Sequence, residues 1–231
     1  MPRPTALAAI PAIAVLGLAA VPAASSAATI APSSACYSTL FQNSKLTYQP
    51  MTGTITGGTP GGRFQIFGVG GKASSQVGNF DAAGNAGYSI TSYSSPGINP
   101  SAGRTVELQV REFAAGGSPI TGSTKVKVST IAIDVKNTPR SPRAKRVIRV
   151  SGTPFAGQRL YGFVVRGSKS TRVLKRISMG TANACGYART RGVVAPSNYR
   201  TGSYRLYINA GKKLDKSKAI GYGFRISRRS F

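Results

Sequence analysis

Beyond its first 28 residues the chain alternates apolar and polar positions in one short run after another, the two-residue period of half-buried β-strands. Phe64 and Ile66 share one face of the run Arg63-Phe64-Gln65-Ile66-Phe67. Val106, Leu108 and Val110 alternate with Glu107, Gln109 and Arg111. Lys125-Val126-Lys127-Val128 continues in the same manner, then the phase slips so that Ile131, Ile133 and Val135 point inward, which predicts a bulge near Ser129-Thr130. Tyr204, Leu206 and Ile208 form another apolar face, as do Tyr222, Phe224 and Ile226. Glycine-rich turns separate the runs, among them Gly57–Gly62, Asp81–Asn85, Ala115–Pro119 and Gly211-Lys212-Lys213. Helical spacing of apolar residues is absent outside the amino-terminal segment.

The clearest interruption is Lys136–Arg146, with two prolines, five positive charges and no apolar residue larger than Ala. It predicts a basic interdomain linker at 137–146 between a domain at 29–136 and a second at 147–231, both of ordinary domain size. A short internal echo agrees. Gly58-Thr59-Pro60-Gly61-Gly62-Arg63-Phe64 returns as Gly152-Thr153-Pro154-Phe155-Ala156-Gly157-Gln158-Arg159-Leu160, each copy between two strand runs, at an offset of about 94 residues, close to one immunoglobulin-like domain. The expected fold is all-β: two immunoglobulin-like β-sandwiches in tandem after a signal peptide.

Residues 1–28 carry that signal. Arg3 supplies a positive start, Ala6–Val21 is apolar apart from Pro11 and Gly17, and small residues follow to Ala28. Cleavage is expected after Ala28, with Ala27 the alternative. The apolar run is shorter than the ~20 residues of a spanning helix, and Cys36 lies too far downstream for lipidation. No later stretch is apolar enough to span a bilayer as a helix. The mature chain is expected to be secreted, extracellular or associated with the cell envelope.

Charge changes the picture next. The chain has 31 Lys and Arg, 5 Asp and Glu and no His, a net charge of +26. Such a field attracts polyanions whatever the fold, although a compositional bias toward arginine would give the same total. Basic residues concentrate in the second half. Arg172, Lys175, Arg176, Lys212, Lys213, Lys216, Lys218, Arg228 and Arg229 are the candidate polyanion contacts, with tyrosines interspersed among them. Tyr204 and Tyr222 keep phase with core residues and are expected to be buried.

Three segments of the first half carry a resemblance: Ala35-Cys36-Tyr37, Gly57–Gly62 and Phe80-Asp81-Ala82-Ala83-Gly84. With Ser151–Gly157 and Ala184-Cys185-Gly186-Tyr187 in the second half, they resemble uncharacterised actinobacterial secreted proteins with two bacterial immunoglobulin-like domains. The matching motifs are turn signatures. The resemblance implies a fold and a surface location, and no reaction.

The residues argue against catalysis. Without His, no Ser–His–Asp triad or Cys–His dyad can form. Glu107 and Glu112 lie on opposite strand faces, Asp81 sits in a turn where Asp bonds its own backbone, and Asp134 faces outward. No Ser stands three residues before a Lys. Two Cys and five scattered acids make no zinc site, and Asp81–Asn85 lacks the acids of a calcium loop. Gly68-Val69-Gly70-Gly71-Lys72-Ala73 has dinucleotide-like glycines but no following helix to cradle a phosphate, and reads as a hairpin turn. No catalytic, cofactor-binding or metal-binding residue is expected, no cofactor and no small-molecule substrate.

The cysteines allow three outcomes in an oxidising compartment: a Cys36–Cys185 disulfide, two buried thiols or a bond to a partner. A closing Phe231 and the all-β pattern would suit an outer-membrane barrel, but Lys and Arg interrupt most strands. The expected function is a non-enzymatic secreted or cell-surface protein with a structural, adhesive or binding role at the cell envelope, its partners anionic envelope polymers or another surface protein. The alternative is an electrostatic binder of wall polymers or nucleic acid.

Overall fold

A computed structural model describes residues 28–42, 45–113 and 121–227. Residues 1–27 of the expected signal segment at 1–28, and the basic carboxy-terminal residues Arg228 and Arg229, lie outside the described residues. The described chain forms sixteen strands and two short 3-10 turns, with no α-helix among them.

The first sandwich contains β1 (Thr29–Pro32), β2 (Cys36–Gln42), β3 (Lys45–Tyr48), β4 (Met51–Thr56), β5 (Arg63–Gly68), β6 (Ala73–Asn79), β7 (Ala86–Ile90), β8 (Arg104–Phe113) and β9 (Thr121–Thr130). These pair as a three-stranded sheet, β1-β4-β7, and a six-stranded sheet, β3-β2-β9-β8-β5-β6. Met51, Ile55, Tyr88 and Ile90 from one sheet meet Phe64, Ile66, Val106, Leu108, Val110, Val126 and Val128 from the other in a single buried core. The inward residues are those of the two-residue period, because a strand that buries one face must place every second side chain there. The glycine-rich Val69–Gly71 segment is a tight turn joining the neighbouring strands β5 and β6, with Gly70 and Gly71 both at φ +69°.

The second sandwich contains β10 (Ala132–Val135), β11 (Lys145–Ser151), β12 (Arg159–Arg166), β13 (Lys175–Thr181), β14 (Ala188–Val193), β15 (Gly202–Ala210) and β16 (Ile220–Ile226). A β10-β11-β14 sheet faces a β13-β12-β15-β16 sheet over a second core that includes Ile148, Val150, Leu160, Val164, Leu206 and Ile208. The connectivity repeats that of the first unit, where β1, β4 and β7 form one sheet and β6, β5, β8 and β9 run in order through the other. The chain is an all-β tandem of two immunoglobulin-like sandwiches, and the β2–β3 hairpin is an addition to the first.

Two expectations about the boundary change. The 137–146 segment is not a linker between sandwiches. β10 pairs with β11, so the segment connects two neighbouring strands within the second unit, and the chain crosses between sandwiches at Ile131. Arg143 and Lys145 of its basic end are exposed, but Arg146 turns inward. The Arg146 side chain is almost wholly buried, its guanidinium donating to the carbonyls of Lys136 at 3.2 Å and Ser141 at 2.8 Å. That side chain ties the proline-containing loop to the sheet, and burial holds the guanidinium below its ordinary pKa. The phase slip at Ser129-Thr130 is likewise no bulge. The β8/β9 register is regular to its end, and the slip marks the point where the chain leaves one sheet for the other sandwich.

Candidate functional site: the junction and the basic face of the second sandwich

Each sandwich turns into β7 or β14 through the same device. In the first, the Asp81 carboxylate Oδ1 accepts from the backbone N–H groups of Ala83 and Asn85, both at 2.8 Å. In the second, the Asn183 amide oxygen accepts from Cys185 and Tyr187, both at 2.9 Å. Short polar side chains that bond their own backbone two residues on create such turns. Gly84 and Gly186 follow, both at φ +76°, and a Cβ on either would collide with a carbonyl oxygen, that of Gly58 or of Gly152. Cys185 therefore occupies the turn position that Ala83 holds in the first sandwich.

That position faces the other unit, and Cys185 is bonded to Cys36 at the start of β2, with 5.2 Å between the Cα atoms. Of the three outcomes open to the cysteines, the intramolecular disulfide is the one formed. Polar contacts surround it. The Thr153 N–H donates to Ser38 Oγ at 2.7 Å, and the Thr153 hydroxyl donates to Gln49 Oε1 at 2.9 Å. Ser129 Oγ donates to the Cys185 carbonyl at 3.4 Å, and the Ser151 hydroxyl donates to the carbonyl of Thr130. Ser38, Ser129, Thr130 and Ser151 are all buried, and buried hydroxyls keep their place only when bonded. A shallow groove of about 780 Å³ opens beside the disulfide, and among the described residues no charged one lines it.

On the second sandwich, the outward face of the β13-β12-β15-β16 sheet is unusual in being buried. Tyr161, Phe163, Val165, Tyr207 and Asn209 point away from the core, yet none is more than 8% exposed. The connections 167–174 and 211–219 fold over them. Asn209 fixes the second of these, donating from Nδ2 to the Lys213 carbonyl at 3.0 Å and accepting from the Asp215 N–H at 3.3 Å. Long basic side chains complete the cover: Arg176 lies over the Tyr161 ring, and both Arg205 and Lys216 lie over Tyr207. Apolar stems on aromatic faces with charged ends in water are the usual way such residues cover a surface.

The predicted basic residues separate into groups. Arg176, Lys212 and Lys213 come together around a concavity floored by Phe163 and Leu214. Lys216 stands beside them, but its ammonium donates to the carbonyls of Ser168 at 3.0 Å and Lys169 at 3.4 Å. Lys218 pairs with Asp215 at 3.8 Å, an exposed contact, and the Asp215 carboxylate is held below its ordinary pKa chiefly by the Ser217 hydroxyl. Lys175 leaves the group, because it precedes Arg176 on β13 and so points to the opposite face. There it donates to the Ala195 carbonyl at 3.1 Å, and burial holds its pKa down. Arg172 sits elsewhere, in a concavity of about 720 Å³ shared with Arg166 and Arg200. Sequence reasoning missed those two arginines, which are brought together by segments distant along the chain.

The acids keep the separation read from the sequence. Glu107 and Glu112 occupy opposite faces of β8, and Glu112 is buried, accepting from the Thr59 N–H at 3.0 Å. Asp134 pairs with Arg149 at 3.3 Å. Among the described residues there is no cluster of three metal-ligating side chains, and no helix long and apolar enough to cross a membrane.

Neither a protein-family model nor a curated protein sequence matches the chain. Among solved structures it is similar to the D0-D1 domain of intimin, at 14% identity over 86% of this chain and 96% of that one, with a TM-score of 0.31. It is similar to the two fibronectin type-III domain segment from chicken tenascin, at 11% identity over 85% and 97%, with a TM-score of 0.27. A tetra-tandem repeat from the extending region of a large adhesion protein matches at 11% identity and a TM-score of 0.30, over 87% of this chain and 49% of that one. At such identities and scores these likenesses carry nothing about function.

Proposed function

We propose that the chain is an exported, non-enzymatic binding protein of the cell envelope, its two sandwiches locked into one body that presents loops and a basic face to a partner. The observation that carries this reading is the Cys36–Cys185 disulfide. Disulfides persist in oxidising compartments, and this one joins the two units at their contact, where a scaffold under load would need it. The absence of His and the separation of the five acids argue for binding over catalysis. Expression of the full chain in a secreting host tests the export half. The expected product lies outside the cytoplasm, begins at Thr29 and migrates faster without reductant. A chain retained in the cytoplasm with both thiols free would refute it.

A second reading has its own observation. Arg176, Lys212 and Lys213 gather on the covered face with no acid facing them, which favours an envelope polyanion as the partner. Retention on an anionic polymer that falls steeply with added salt is the expected behaviour. No retention at physiological ionic strength would exclude it.

A further inference from the structure

The second sandwich ends, on the side away from the junction, in a cleft between the β12–β13 and β14–β15 connections. Arg166, Arg172 and Arg200 line it together with Ser170, Ser197 and Asn198, and Val173, Leu174 and Pro196 supply apolar wall. None of the five acids lines the cleft. Among the described residues, none of the three guanidinium groups has a hydrogen-bond or ion-pair partner. Four other cations of this unit, Arg146, Arg149, Lys175 and Lys216, each donate to a protein oxygen. Three unpaired cations facing one hollow repel one another, a cost that a bound anion removes.

The chain itself holds the backbone around the cleft. Arg166 projects from the end of β12. The Tyr204 hydroxyl fixes Arg200, donating to its carbonyl at 2.7 Å and accepting from its N–H at 3.0 Å. Ser170 Oγ accepts from the Arg172 N–H at 3.2 Å, and the Leu174 N–H donates to the Val164 carbonyl at 2.8 Å, which anchors the loop on both sides of Arg172. The chain that carries Arg172 and Arg200 is thus in place beforehand, and binding has only the side chains to order.

We infer that the Arg166–Arg172–Arg200 cleft binds a phosphate group carried on a polyhydroxylated unit, such as a sugar or polyol phosphate. The inference rests on the polyanion reading above for its class of ligand, and adds a site separate from the Arg176, Lys212 and Lys213 group. A planar guanidinium donates in pairs to phosphate oxygens. A phosphomonoester, with about two negative charges, balances three arginines better than a single carboxylate does. The hydroxyls of Ser170 and Ser197 and the amide of Asn198 are left for the hydroxyls of the carrier, and the apolar wall for its carbon skeleton.

The test is an NMR titration of the disulfide-bonded full chain with glycerol phosphate, following the arginine Nε–H resonances, with glycerol and acetate as controls. Saturable shifts at the three arginines are expected with glycerol phosphate alone. Replacing all three by glutamine should weaken binding about tenfold or more. The variant R159Q/R189Q/R191Q loses as many charges from exposed positions of the same unit outside both basic groups and should change affinity less than about twofold. Equal weakening by the two variants, or shifts that never saturate, would overturn the site. Retention on anionic polymer would then decide the fate of the wider reading on its own. The three side chains are exposed, so folding should survive, and R172Q alone serves if the triple variant does not fold. A glycerol phosphate polymer identifies the source: competition at the same resonances points to phosphodiesters, and its absence to a monoester end.

Discussion

The two sandwiches share a strand order and a turn, and they differ in what each adds to that frame. The first adds the β2–β3 hairpin, whose β2 runs parallel to β9 and carries Cys36 to the junction. The second places Cys185 in the shared turn where the first has Ala83, and covers the outer face of its larger sheet with basic loops. It also has a tyrosine corner, a hydroxyl on the strand bonding back to the chain a few residues upstream. Counting register from the equivalent pairs Phe64↔Glu112 and Leu160↔Ala210, Val106 stands in the first unit where Tyr204 stands in the second. The shared parts are those needed to close any such sandwich. The differences lie at the junction, where the hairpin of the first unit meets the turn of the second, and on the outer face and far end of the second unit.

The largest effect should come from the junction. C185A restores the Ala83 version of the turn and removes only the tether. Closing a loop of 149 residues restricts the unfolded chain strongly, so its loss should cost about 2–5 kcal/mol in denaturant unfolding. The parent should unfold in one transition and the variant in two, as the units lose their coupling. An unchanged midpoint would mean that the hydrogen bonds around Ser38 and Thr153 hold the junction unaided.

The shared turn predicts matched behaviour on a smaller scale. Gly84→Ala and Gly186→Ala each place a Cβ at positive φ against a carbonyl oxygen of the preceding turn, and each should cost about 2 kcal/mol. Thermal unfolding of both variants against the parent measures it. A tolerated alanine at one site and not at the other would break the equivalence of the two turns.

The repeat was legible at Gly58–Phe64 and Gly152–Leu160 because turn residues are dictated by local backbone geometry. The strands were legible because burial of one face imposes a two-residue period. The boundary was not, since Ile131, Ile133 and Val135 keep alternating across it and the Pro-containing loop has the composition of a linker. Only pairing of β10 with β11 distinguishes the two cases, and pairing is not local. Arg146 illustrates the same limit: a charge in a basic run looks solvated until a loop is found wrapped around it. The arginine cleft was invisible for a related reason. Arg166, Arg172 and Arg200 come from three segments whose proximity depends on the antiparallel pairing of β12 with β15, and only Arg172 stood within a visible cluster. The covered outer face likewise gave Tyr207 no local sign of burial.

The smallest effect belongs to the feature that only the second sandwich has. Tyr204→Phe keeps the ring, which is buried against Phe224 at 5.7 Å between centroids, and deletes the hydroxyl that holds the Arg200 backbone. Arg200 is exposed, so water can satisfy part of what is lost. The cost should be near 1 kcal/mol, the value of an ordinary hydrogen bond, with no change in the unfolding of the first unit. Val106 shows that this fold closes without the corner, so a much larger loss would mean that the hydroxyl organises the whole β14–β15 connection. The cleft gives a more sensitive readout than stability. If the corner serves to hold Arg200 in place, Tyr204→Phe should weaken glycerol phosphate binding while leaving the Arg176, Lys212 and Lys213 group untouched.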